Sequence, residues 1–153
     1  MAATDSAECK KLAVKLLARR EHSRFELERK LAARSFPLEL VSLALDELED
    51  SGAIAPARFA ESFIRSRAAK GQGPVRIRRE LKERGIEETL CADSLRAAEF
   101  DWAHIAAKVR TKRFGSLAPK DFTERARQAR FLQYRGFDTG QIDAALDLGD
   151  ESD

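Results

Sequence analysis

Cysteine, histidine and aromatic residues are scarce in this sequence. The two cysteines, Cys9 and Cys91, stand 82 residues apart and form no C-x-x-C pair. That spacing argues against a disulfide framework or a zinc site, and for buried free thiols in a reducing compartment. Two histidines, His22 and His104, are too few and too far from cysteine or distinctive carboxylates to suggest metal ligation. His22 directly precedes Ser23, so a turn or packing role is expected for it. No apolar run reaches the roughly 18 residues of a membrane span, and no apolar N-terminal segment marks secretion. A cytoplasmic protein is expected. Runs of alternating β-branched residues between turn pairs are missing, which leaves an all-α fold. Catalytic signatures are missing as well. Lys70-Gly71-Gln72-Gly73-Pro74 is glycine-rich but lacks the phosphate-cradling G-x-x-x-x-G-K-[ST] frame, and reads as a turn between helices. No nucleophile elbow occurs. No enzyme activity, cofactor or metal is expected.

Charge, by contrast, is abundant: 35% of the 153 residues are Asp, Glu, Lys or Arg, against 43% hydrophobic. The apolar share is too high for disorder and suits narrow apolar stripes on solvated helices. The net charge of +2 hides a strong segregation. Between Arg65 and Arg84, eight basic residues face two acids, a local excess of +6. Glu39–Asp50 holds five acids and no base, and Asp138–Asp153 holds six acids and no base. Segregation of this kind points to a macromolecular partner.

Helix punctuation is dense. Ser23-Arg24-Phe25-Glu26 has the spacing of a capping box, and Asp121–Glu124 and Asp138–Gln141 repeat it. Pro56 and Pro74 stand where helices can begin, because a first-turn amide has no partner to lose. Gly52, Gly85, Gly115 and Gly136 each follow a helical stretch, as left-handed caps do.

A long internal period then emerges. Leu27-x3-Leu31-x2-Arg34-Ser35-Phe36 is followed 50 residues on by Ile77-x3-Leu81-x2-Arg84-Gly85-Ile86. After 51 more comes Gln128-x3-Leu132-x2-Arg135-Gly136-Phe137. Val41 and Leu45 correspond in the same way to Cys91 and Leu95, then to Ile142 and Leu146. A fixed period of this length marks stacked supersecondary units that complete one another's cores. Leading helices near Ser6–Arg20, Pro56–Lys70 and Trp102–Phe114 precede each copy. The chain therefore reads as three tandem three-helix repeats, 6–52, 55–99 and 100–149. The middle helix of each is basic, so a cationic strip along one side is expected. Phe100 and Trp102 fall at the second junction and read as an apolar anchor between repeats.

These stretches together resemble the RecX family, bacterial regulators of the RecA recombinase. The resemblance lies in Leu16-Leu17-Ala18-Arg19-Arg20-Glu21-His22-Ser23-Arg24, in Arg58-Phe59-Ala60-Glu61-Ser62-Phe63, in Gly73-Pro74-Val75-Arg76-Ile77 and in Phe131-Leu132-Gln133-Tyr134-Arg135-Gly136-Phe137. It spans roughly residues 8 to 147, through the order and spacing of these segments. The sequence departs from the family pattern at Ile54-Ala55-Pro56-Ala57, where acids usually precede the Arg-Phe pair. It departs again at Ser35, where its other two repeats have glycine.

The resemblance implies tandem three-helix repeats in an elongated, curved array. It implies a protein that binds the RecA filament on single-stranded DNA and limits its growth. ATP hydrolysis, strand exchange and the co-protease activity behind the SOS response would be restrained in turn. A monomer is expected, with a homodimer formed by exchange of units as the alternative. The family carries no contact motif, so only basic positions serve as candidates for RecA or DNA contact. These are Arg65, Arg67, Lys70, Arg76, Arg78 and Arg79 in the second repeat, and Arg125, Arg127 and Arg130 in the third. The arginine fork suits carboxylates and phosphates alike. The alternatives are a helical protein that binds nucleic acid directly, or a scaffold for an unrelated protein.

Overall fold

The computed structural model describes residues 6–151, with side chains to residue 147, so the acidic run after Asp147 lies outside the described side chains. Among the described residues there are nine α-helices and no strand. They are α1 Ser6–Arg19, α2 Arg24–Ala33, α3 Leu38–Asp50, α4 Pro56–Ala69, α5 Pro74–Glu83, α6 Glu88–Ala97, α7 Trp102–Phe114, α8 Phe122–Tyr134 and α9 Thr139–Glu151. No helix among the described residues is long and apolar enough to cross a membrane.

Local chemistry sets the boundaries. Ser23 Oγ accepts from the Glu26 amide while the Glu26 carboxylate accepts from the Ser23 amide, a complete capping box. Asp138 and Gln141 make the same reciprocal pair. Asp121 caps α8 through the Glu124 amide, but the Glu124 carboxylate turns away to Arg127 and Gln128. Pro56 and Pro74 open α4 and α5, so Pro56 takes over the helix start where the sequence lacks an acid.

The chain divides into two compact units, and the cut passes through the middle repeat. One unit comprises the residues up to Ser62 together with Leu81–Cys91; the other comprises Phe63–Glu80 and the residues from Ala92 onward. In the first, α1 packs on α3 with α2 beside them, around Cys9, Ala13, Leu27, Leu31, Val41 and Leu45. In the second, α7 packs on α9 with α8 beside them, around Ala106, Leu132, Phe137, Ile142 and Leu146. Leu31, Val41 and Leu45 of the first core stand at the repeat positions of Leu132, Ile142 and Leu146 in the second, and the middle repeat's Ile77, Leu81, Ile86 and Cys91 are buried too. Cys9 and Cys91 form no disulfide. Trp102 packs half-buried on the second core, with its ring centroid 5.3 Å from that of Phe100.

Each unit contains one joint between successive repeats, and the two joints are built alike. A turn between the middle and last helices lies on the first turn of the preceding repeat's middle helix. In the second unit, the Gly73 and Val75 amides donate to the Arg135 and Gly136 carbonyls at 2.8 and 2.9 Å. Arg135 reaches across to the carbonyls of Lys70 and Gly71. A Cβ on Gly136 would sit 2.3 Å from the Arg76 Cβ, and one on Gly73 would sit 2.4 Å from the Gly136 carbonyl. Only glycine fits this approach at either position. In the first unit, the turn at Gly85 lies against Phe25, and Arg84 pairs with Glu26 at 3.5 Å.

Candidate functional site: a cationic surface on the second unit

The basic candidates differ in exposure and in their partners within the fold, and Arg65 and Arg78 as well as the ion-paired ones are engaged by it. Arg67 and Arg76 both approach Glu80, at 3.7 and 3.8 Å, so one carboxylate ties α4 to α5. Arg67 also stacks its guanidinium 4.5 Å over the Phe63 ring, and Arg76 lies 5.9 Å over Tyr134. Arg125 is held by Asp147 at 3.3 Å and Asp143 at 4.0 Å, which draws its charge onto α9. Arg127 pairs with Glu124 at 2.7 Å and lies 5.0 Å over Phe114. Arg65, Lys70, Arg78, Arg79 and Arg130 are exposed, as is Arg127 despite its ion pair.

A second set of cations joins these. The α7 segment carries Lys108, Arg110, Lys112 and Arg113 and no acid. Arg110 turns inward: it is 1% exposed and donates to the carbonyls of Gly115 and Leu117, at 3.1 and 2.9 Å. A buried guanidinium satisfied by carbonyls pins the long loop between α7 and α8. Lys108, Lys112 and Arg113 turn outward. With Lys70 and Arg135 they line an open groove of about 780 Å³ floored by Ile105, Val109 and Phe131. Sequence reasoning that followed the dense basic run of the second repeat and the middle helix of the third passed over these residues of α7. The signal was available as a thirteen-residue helix with four bases and no carboxylate.

Charge in the first unit is arranged differently. Arg24 contacts Glu28, Asp46 and Glu49, Arg58 pairs with Glu21, and Lys10 pairs with Glu47. Burial holds His22 below its ordinary pKa of 6.5, and the nearby Arg20 and Lys30 charges push the same way. Its Nδ1 bonds the Arg20 carbonyl at 3.0 Å and its Nε2 meets Lys30 Nζ at 2.8 Å. With lysine as donor to Nε2, the proton of the neutral ring stands on Nδ1. His22 is therefore a packed helix-entry residue. Among the described residues, no cluster of His, Cys, Asp or Glu is placed to hold a metal.

Fold and surface together define a tandem three-helix-repeat protein with a groove lined by Lys70, Lys108, Lys112, Arg113 and Arg135. The descriptions RecX first, second and third three-helix domain match residues 9–48, 57–95 and 103–146. The chain is 48% identical to the regulatory protein RecX of Halorhodospira halophila over 141 residues, covering 92% of this chain and 88% of the relative. It is 47% identical to that of Pseudomonas entomophila, covering 90% and 88%. The crystal structure of RecX from Lactobacillus salivarius superposes with a TM-score of 0.77 at 22% identity, covering 94% of this chain and 97% of that one. The chain belongs to the RecX family.

Proposed function

We propose that this protein is a regulator of the RecA recombinase that binds the RecA filament on single-stranded DNA and restrains its growth. Lower ATP hydrolysis, strand exchange and co-protease activity follow from shorter filaments. The carrying observation is family membership over nearly the full chain, with relatives named regulatory protein RecX. The cationic groove supports it, because a nucleoprotein filament presents phosphates and protein carboxylates that arginine and lysine recognise. Arg65, Lys70, Arg78, Arg79 and Arg130, which are exposed, are the contact residues of this reading. The ion-paired Arg67, Arg76, Arg125 and Arg127 position the helices that carry them.

The test is RecA ATP hydrolysis on single-stranded DNA while this protein is titrated. Loss of hydrolysis at amounts well below RecA supports blocked filament growth. Unchanged hydrolysis at excess refutes the reading. Charge reversal at Arg79 and Arg130 should weaken inhibition while leaving the helical circular dichroism intact. Arg76 is a poor site for that experiment, because its Cβ abuts Gly136. Tight binding to single-stranded DNA without RecA would favour a direct nucleic-acid-binding protein instead.

A further inference from the structure

We infer that the groove between the end of α4, α7 and α8 is a docking site for an acidic protein segment carrying a large apolar side chain. The inference goes beyond the regulator reading, since it specifies the chemistry of the occupant whichever protein supplies it. Three observations converge. First, Lys70, Lys108, Lys112, Arg113 and Arg135 line the groove, and among the described residues no Asp or Glu does. Lys108 and Lys112 lie one helical turn apart on the same face, so their ammonium groups can meet successive carboxylates of one segment.

Second, these charges are unspent. Among the described residues, no carboxylate stands in an ion pair with Lys70, Lys108, Lys112 or Arg113, whereas Arg24 alone contacts three. A cationic rim left uncompensated by its own fold is complementary to an acidic partner.

Third, the floor is apolar. Ile105, Val109 and Phe131 offer a hydrophobic bed, and about 780 Å³ accommodates a few side chains of a peptide. Nucleic acid is the other polyanion to consider. Non-specific single-strand binding relies on aromatic faces open to bases. The Phe131 ring is already engaged: Phe114 meets it edge-on with centroids 5.3 Å apart, and the Arg113 guanidinium lies 5.5 Å from its centroid. Aliphatic side chains and carboxylates fit this lining better than stacked bases and phosphates do.

The experiment measures fluorescence anisotropy of a fluorescein-labelled glutamate peptide with interspersed leucines, titrated with the full chain at low salt. A glutamate-only peptide and labelled oligothymidylate serve as comparison probes. The glutamate–leucine peptide should bind tightest. Lys108→Glu with Lys112→Glu should weaken it about tenfold or more, the sum of two exposed pairs lost and made repulsive. Lys11→Glu with Lys15→Glu, an equal charge change on exposed α1 positions, should leave it nearly unchanged. Should the first reversal unfold the chain by circular dichroism, Lys108→Gln with Lys112→Gln replaces it, with a smaller loss expected. Absent peptide binding overturns the proposal. So does equal weakening by the α1 reversal, or tighter binding of the oligothymidylate. The RecA assay is read separately: inhibition without peptide binding overturns the groove alone, and peptide binding without inhibition overturns the regulator reading alone.

Discussion

The same turn occurs three times in this chain, and only two of the copies are docked. Gly136 at φ +102° and Gly85 at φ +83° lie against the middle helix of the preceding repeat. Ser35 adopts the same left-handed conformation at φ 68°, but it stands exposed in the first repeat. Left-handed φ alone costs an L-residue about 1–2 kcal/mol. A stable fold tolerates that, and Ser35 does. What forbids a side chain at Gly136 is the second constraint, the approach of the Arg76 Cβ and backbone; at Gly85 the neighbour is the Phe25 Cβ alone, at 3.0 Å. Glycine at 136 therefore reports docking more than it reports the turn.

The strongest way to break the comparison is Gly136→Ala. The added methyl would fall 2.3 Å from the Arg76 Cβ and 2.9 Å from its amide nitrogen, and neither can swing away. Backbone strain and overpacking together should cost roughly 3–4 kcal/mol. Thermal or urea unfolding would show it, and a loss no larger than the strain alone would mean that the joint yields.

Gly85→Ala probes the milder joint. Its Cβ would meet the Phe25 Cβ at 3.0 Å, a contact that a small shift relieves. A cost of about 1–2 kcal/mol is expected, mostly from φ. Equal losses at Gly85 and Gly136 would show that conformation, and not approach, selects glycine.

The helix starts beneath the joints differ as well, and pH separates them. His22 and Gln72 occupy equivalent buried positions, but only histidine titrates. His22 has a lowered pKa in the folded state because burial disfavours the imidazolium. The unfolded chain therefore takes up a proton first as pH falls below 6.5, and stability declines from there toward the lowered folded pKa. Glu26 acts lower. Burial raises its pKa, but the Ser23 amide and the Arg20 guanidinium outweigh this and hold it below 4.5. Its contribution is present above 4.5 and is lost as pH falls through the folded value. Between these limits, the His22→Gln variant should show a flatter stability profile than the parent in urea melts. Parallel profiles would remove His22 from the account.

Much of this fold was legible in the sequence. Leu31, Leu81 and Leu132 recur at intervals of 50 and 51 residues because each fills the same core position, and Ser23, Pro56, Pro74 and Asp138 announce helix starts through local chemistry alone. The joints were not legible. Arg135 meets Lys70 and Gly71 across more than sixty residues, and no local pattern encodes that pairing. The candidate site was only partly legible for the same reason. Runs of Arg and Lys show where positive charge resides along the chain, but not which carboxylate cancels it. Glu80 engages both Arg67 and Arg76, and Asp147 draws off Arg125 from the next helix. The uncancelled cations of α7 stood outside the densest basic run.

The smallest effect sharpens the comparison most. Ser35→Gly relieves the left-handed strain, worth about 1–2 kcal/mol. It also frees the unfolded chain, which takes back about 0.4–1 kcal/mol. A gain between zero and roughly 1.5 kcal/mol in urea unfolding is therefore expected from these opposed terms. Ser35→Ala keeps the strain and should stay within about 0.5 kcal/mol of the parent, as exposed substitutions do. A marked loss in both variants would mean that the Ser35 side chain itself stabilises the turn, and its exposure would no longer explain why serine is tolerated there. A gain from glycine beside neutrality from alanine would establish that this copy is bound by φ alone, in contrast to Gly136, whose added methyl meets the Arg76 Cβ at 2.3 Å.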